Sequence, residues 1–191
     1  MFEREKDTSQ KILRAAFKCI SEKGYANVSM RDIAEEANVV LSQINYYYKN
    51  KEGLFCKLIR EVTEEYLKII QDNLQKITTT KEKVSFFIKY CQHIMKDNIN
   101  TYRLILDFFS MAMWSKSFNQ ELNYFLNKVS QVIEEYVTND YLIDESLQNY
   151  SSNTIARMIL GIIFGMAMQY IIEPDNEEVL DAINVIQALI K

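Results

Sequence analysis

The run LSQINYYYKNK, residues 41–51, crowds hydroxyl, amide, phenol and ammonium groups into about three turns of chain. A carboxamide such as that of Gln43 or Asn45 can pair bidentately with adenine in a major groove, and phenols and ammonium groups suit phosphate oxygens. That is recognition chemistry. Catalytic chemistry has no comparable constellation: His93 is the only histidine, there is no glycine-rich phosphate loop, and no nucleophile stands with a base. Cys19, Cys56 and Cys91 form no CxxC and no metal-spaced cluster, so no metal site and no cofactor is expected. Structural thiols are the plain expectation, with Cys56, beside Lys57, the one candidate for redox sensing.

The elements around that run must position it. In VSMRDIAEEANVVLSQINYYYKNKEGLF, residues 28–55, two short helices are joined by a tight turn. Ser29 and Asp32 resemble a capping box, and Ile33, Ala34 and Ala37 make an apolar stripe at helical spacing. Asn38 follows where the chain must turn sharply, because asparagine tolerates left-handed backbone angles. A helix begins again near Val40. Upstream, TSQKILRAAFKCISEKGY predicts a helix capped by Thr8 or Ser9, with Ile12, Leu13, Ala16, Phe17 and Ile20 on one face and Gly24 after its end.

One proline and four glycines in 191 residues, together with long segments of period 3.6, make the protein all-α. Residues 1–60 hold eleven basic against eight acidic side chains, a balance of +3, whereas the remainder hold eleven against eighteen, a balance of −7. The basic excess coincides with the suspected reading head, where it would supply the sequence-independent part of DNA affinity. Charges at Glu3, Arg4, Glu5, Lys6 and Asp7 replace the apolar core of a secretory signal, so a cytoplasmic protein is expected.

The elements KILRAAF, EKGY, VSMRDIAEEANV and INYYYKNKEGLF, in that order near the N-terminus, resemble the TetR-type bacterial transcription regulators. The resemblance implies a three-helix DNA-binding head (1–51), a connecting helix (about 52–75) and a helical domain (52–191) that binds a small-molecule effector and dimerises. It also implies, with the side-chain chemistry, a groove-facing set of Leu41, Ser42, Gln43, Asn45 and Tyr46. Tyr47 and Lys51 match phosphate-contacting positions of the family, and Ser29 and Arg31 complete the expected DNA contacts. Tyr48 is expected in the core, and core packing is the alternative for Tyr46. Two departures stand out. Asn38 replaces the usual glycine, and Val40 replaces the usual serine, so the second motif helix loses its side-chain cap there unless Ser42 supplies it.

Behind the head, the apolar segment around Leu104–Trp114 reads as a buried helix interrupted by Asp107, a carboxylate that must face water, pair with Arg103 or Arg157, or await a ligand. Tyr90, His93, Asp107, Phe108, Met111 and Trp114 are the candidate effector contacts, suited to a bulky and largely apolar molecule. For His93 a plain surface role is the alternative. After a polar stretch, NDYLIDESLQNYSSN, the run TIARMILGIIFGMAMQYII approaches membrane-spanning length and carries Gly161 and Gly165 in a GxxxG. Arg157 and Gln169 interrupt it, so a buried dimer helix is the better reading and no membrane is expected. Val179, Leu180, Ile183, Ile186, Leu189 and Ile190 stripe the last helix, and Gly161, Gly165, Ile183 and Ile186 are the expected dimer contacts.

The chain therefore reads as a homodimeric, ligand-responsive regulator that represses from a palindromic operator and leaves it on binding an effector. The alternatives are a transcriptional activator of the same family, or a helical interaction module whose head has lost DNA specificity. An enzyme is not expected.

Overall fold

The structure, a computed structural model, describes residues 2–138, 147 and 149–189, with side chains described from Asp7 to Gln187 within that span. Among these residues there is no strand. The helices are α1 (Phe2–Lys23), α2 (Met30–Glu36), α3 (Leu41–Tyr48), α4 (Lys51–Leu74), α5 (Thr80–Asp97), α6 (Ile99–Ala112), α7 (Lys116–Ile133), α8 (Ser152–Ile172) and α9 (Glu177–Ala182). A 3-10 turn at Tyr25–Asn27 links α1 to α2, a π turn at Glu134–Thr138 extends α7, and a 3-10 segment at Ile183–Leu189 extends α9. Most of the polar stretch after residue 138, and the side chains of Leu189 and Ile190, lie outside the described residues.

The chain forms two compact units, and they do not follow a single cut at residue 51. The first comprises the residues up to Thr63 together with Arg103–Leu122, and the second Glu64–Tyr102 together with the residues from Asn123 onward. The physical reason lies in one buried cluster. Ile12, Ile33 and Ile44 of the first three helices share it with Phe55 and Ile59 of α4, Leu104 and Phe108 of α6, and Phe118 of α7. Burial of that many large side chains is the main favourable term, at about 1.5–3 kcal/mol for each one fully removed from water.

Helix ends within the first unit follow from local chemistry. α1 starts at Phe2, so Thr8 and Ser9 are interior and not caps. Ser9 instead bonds Tyr48 twice: its hydroxyl lies 2.7 Å from the phenol oxygen, and its carbonyl accepts from that phenol at 3.0 Å. Gly24 leaves the helix at φ 80, where a side chain would be strained. At α2, the Asp32 amide donates to Ser29 Oγ at 3.2 Å, and Asp32 Oδ2 accepts from the Ser29 amide at 2.6 Å, which completes the capping box. The Ser29 hydroxyl also donates to Asp32 Oδ2, at 2.6 Å, and that bond, followed by the one from the Ser29 amide, holds the Asp32 carboxyl below its usual range. Where α3 meets α4, a Cβ on Gly53 would lie 2.7 Å from the Tyr48 carbonyl oxygen, so glycine permits the close approach.

The second unit is built on α8. The most apolar 18-residue window of this 21-residue helix has a mean hydropathy of 1.8, and the helix is long and apolar enough to cross a membrane by length and composition. Its Ile155, Ile159, Ile163 and Ala167 are nevertheless buried in the core with Leu74, Phe87, Ile88, Met95 and Ile133, as expected of the central helix of a folded domain. Ile183 and Ile186 join that core at 0% and 1% exposure. They therefore have no surface to offer a second copy, which corrects the expectation that they form dimer contacts. A stripe at helical spacing is the same whether it covers its own subunit or another.

Asn38 adopts φ 49 between α2 and α3. Its amide donates to Glu35 O at 2.9 Å, and the Val39 amide reaches Ala34 O at 3.0 Å, the pattern that closes a helix through a left-handed residue. Alanine there keeps the Cβ penalty without an amide to offset it, whereas glycine carries none. The Asn38→Gly variant should therefore be about 1 kcal/mol more stable than Asn38→Ala, with the wild-type chain between them, in calorimetric unfolding.

Candidate nucleic-acid interface

α3 is two-faced. Ile44 is fully buried and Tyr48 nearly so, at 0% and 8%, and both belong to the first unit's core. On the opposite side Ser42, Gln43, Asn45 and Tyr46 are exposed, while Leu41 and Tyr47 are half-buried. Tyr46 is 74% exposed, which removes core packing as its explanation. Its ring meets that of Tyr47 edge-on at 5.2 Å, so the two phenols brace each other. Ser29 and Arg31 are exposed at the start of α2. Lys49, exposed at the end of α3 with φ 58, went unremarked in the sequence, although a cation directly after the amide-rich run was its signal.

The start of α3 shows how the chain manages without a serine cap. Val40 occupies the cap position and has no side-chain acceptor, and Ser42 does not replace it because the helix already begins at Leu41. Gln43 Oε1 instead accepts from the Val40 amide at 3.2 Å. The first-turn amides gain nothing from this, since only the reciprocal half of a capping box is present. One of the two expected base readers is thus committed to holding its own helix in the DNA-free protein.

Lys51 is placed differently from the rest. Its Nζ donates inward to the Tyr25 carbonyl and lies 4.1 Å from the centroid of the Tyr25 ring. Burial lowers its pKa, against the opposing pull of Asp32 and Asp107.

The six candidate effector contacts divide between the two units. Tyr90 and His93 belong to the second unit, and Asp107, Phe108, Met111 and Trp114 to the first. His93 is exposed and pairs with Asp97 at 2.6 Å one turn along α5, the plain surface role. Asp107 is half-buried, and its Oδ2 accepts from the Tyr25 amide at 2.6 Å. Arg157 bonds Asn127 and Asn153 instead. Phe108 is fully buried, and Trp114, in the turn after α6, is 86% exposed, so the segment is not buried to its end. Tyr90 alone sits in an interior of the expected kind, half-buried and stacked on Phe86 at 5.9 Å. Near it in the second unit, the Tyr66 and Thr101 hydroxyls bond at 2.9 Å.

The three thiols are free, with Cys19 and Cys91 buried and Cys56 half-buried. Burial pushes Cys56 up to about 11 and Cys91 up to about 12, and raises Cys19 as well, so the reactive thiolate is disfavoured at each. The second unit does carry a half-open groove of about 300 Å³ between α4 and α7. Leu67 and Val132 line it with Glu64, Lys68, Lys128 and Glu135.

A sequence model of bacterial regulatory proteins of the tetR family matches residues 12–58. The chain is 36% identical over 72 residues to the "Probable HTH-type transcriptional regulator YttP" of Bacillus subtilis, a match that covers 38% of this chain and only 35% of that protein. It is 23% identical over 152 residues to the fatty acid metabolism regulator protein of Bacillus subtilis, covering 80% of this chain and 77% of that one. Among solved structures, the transcriptional regulator FadR from Bacillus subtilis in complex with stearoyl-CoA superposes with a TM-score of 0.74 at 21% identity, over 94% of this chain and 96% of that one.

Supplying the missing cap should stabilise α3. The Val40→Ser variant is expected to gain about 1 kcal/mol and to slow hydrogen exchange of the first α3 amides about fivefold, while Val40→Ala leaves exchange unchanged.

Proposed function

Starting from a chain with a TetR-type head and the TetR-type fold, whose relatives are DNA-binding regulators and not enzymes, we propose that it is a cytoplasmic, ligand-responsive repressor that grips a palindromic operator as a homodimer. The observation that carries this is the exposed face of α3. Ser42, Gln43, Asn45 and Tyr46 stand outward while Ile44 and Tyr48 fix the helix from behind. A helix placed in this way enters a major groove with its amides toward base edges. Ser29, Arg31 and Tyr47 then serve as phosphate contacts.

Dimerisation is assigned to the outer face of α8. A Cβ at Gly161 or Gly165 would meet nothing within 4 Å, and Met168 and Ile172 beside them are 50% and 72% exposed. Val185, at 63%, adds to the apolar surface that a subunit alone leaves wet. Two copies place two heads on successive grooves about 34 Å apart, and a palindromic site mirrors that symmetry.

The effector belongs to the second unit. The groove sets Leu67, Val132 and Tyr124 among charged and amide side chains, which suits a molecule with both an apolar part and a polar head, and the stearoyl-CoA held by the Bacillus subtilis regulator is of that kind. Long-chain acyl thioesters are the first molecules to try.

Selection from random duplex DNA is expected to enrich a palindrome. On that site Asn45→Ala should cost about 1–3 kcal/mol, and much less on random DNA. No enrichment, with or without acyl thioesters, would favour an interaction module. In sedimentation, Gly161→Arg should leave the subunit folded, yet convert the dimer to monomers and abolish tight operator binding.

A further inference from the structure

Tyr25, in the 3-10 turn between α1 and α2, is held from both sides of its backbone. Asp107 Oδ2, on α6, accepts its amide proton at 2.6 Å, across 82 positions of sequence. The Lys51 ammonium, on the first residue of α4, donates to its carbonyl oxygen and lies over its ring. The ring itself stacks on Phe55 at 4.7 Å and meets Phe118 edge-on at 5.6 Å. The turn is thus clamped between α4 and α6 by two charged groups of opposite sign, each making a charge-assisted bond to backbone. The cation so committed is one that the family resemblance assigned to DNA phosphate.

We propose that Lys51 and Asp107 are positioning residues for operator binding. Acting through Tyr25, they fix the α1–α2 turn and hence the setting of α2 and α3, and neither touches DNA. An ammonium turned inward onto a carbonyl contributes no counterion release when DNA binds. Asp107 ties the same turn to α6, whose other end contributes the buried Thr101 and Tyr102 to the second unit. The turn is thus one place where α6 is fastened to the first three helices, beside the packing of Phe108. The proposal rests on the operator-binding reading for its DNA arm only.

The test compares the full-length chain with Lys51→Met, Asp107→Ala, Asp107→Asn and the double variant Lys51→Met/Asp107→Ala. Binding to the selected operator duplex is measured across a salt series. Lys51→Met and Asp107→Ala should each weaken binding about tenfold with an unchanged slope of log K against log salt. Asparagine at 107 retains an acceptor oxygen and should recover most of the loss. The double variant should lose less than the product of the single losses, because both act through one turn. A slope reduced by about 0.9 in Lys51→Met would make it a phosphate contact and overturn the proposal, as would multiplicative losses or an indifferent Asp107→Ala. The clamp is also read without DNA. In the DNA-free protein the Tyr25 amide should lose hydrogen-exchange protection in Asp107→Ala and keep it in Asp107→Asn. An unchanged amide overturns the clamp whatever the DNA does, whereas a released amide with no operator found condemns only the DNA reading.

Discussion

Phe55, Phe108 and Phe118 meet edge to face at centroid distances of 5.5, 5.6 and 5.7 Å, and each is at most 1% exposed. They come from three helices that are far apart in sequence, α4, α6 and α7. Contacts of this geometry contribute about 0.5–1.5 kcal/mol each beyond simple burial. They make the start of α4, the end of α6 and the start of α7 parts of the same body as α1, α2 and α3. Glu52 reinforces it by accepting from Ser115 at 2.9 Å, and Arg60 does so through a forked pair with Glu121 at 2.7 Å. The reading head is consequently no separable 51-residue piece, and its recognition helix rests on a core that the rest of the chain helps to build.

That dependence is visible in α3. Eight residues are too few to hold a helix alone, and this one lacks a side-chain cap at Val40. Its order comes from Ile44 and Tyr48 behind it and from Gln43 closing on its own entry. The outward groups are left with unfilled hydrogen-bonding capacity, which is what a helix made to be completed by another molecule requires. Acidic side chains predominate after residue 60, whereas residues 1–60 carry a basic excess.

Local order was legible in the residues. Ser29 capping with Asp32, Asn38 turning with φ 49 and Gly24 ending α1 follow from short-range stereochemistry, while the family resemblance divided Tyr48 from Tyr46. What escaped depends on contacts that sequence spacing cannot show. Asp107 finds a backbone amide 82 positions away, a partner no carboxylate pattern reveals. Ile183 and Ile186 share a stripe that looks alike whether it faces a core or a partner, and only the packing decides. The effector candidates were chosen by side-chain chemistry from two successive helices, and they divide between the two units. Thr8 and Ser9 are good caps, but charged residues ahead of them continue the helix to Phe2.

The one tryptophan in the chain, Trp114, stands 86% exposed in the turn between α6 and α7, within the first unit. An indole in water emits at the red end of its range and shifts toward the blue when its surroundings dry out or stiffen. Its fluorescence therefore comes from a single place, free of overlap from other indoles and without an introduced dye. The protein carries its own optical probe, seven residues from Asp107, on the Arg103–Leu122 stretch of the first unit.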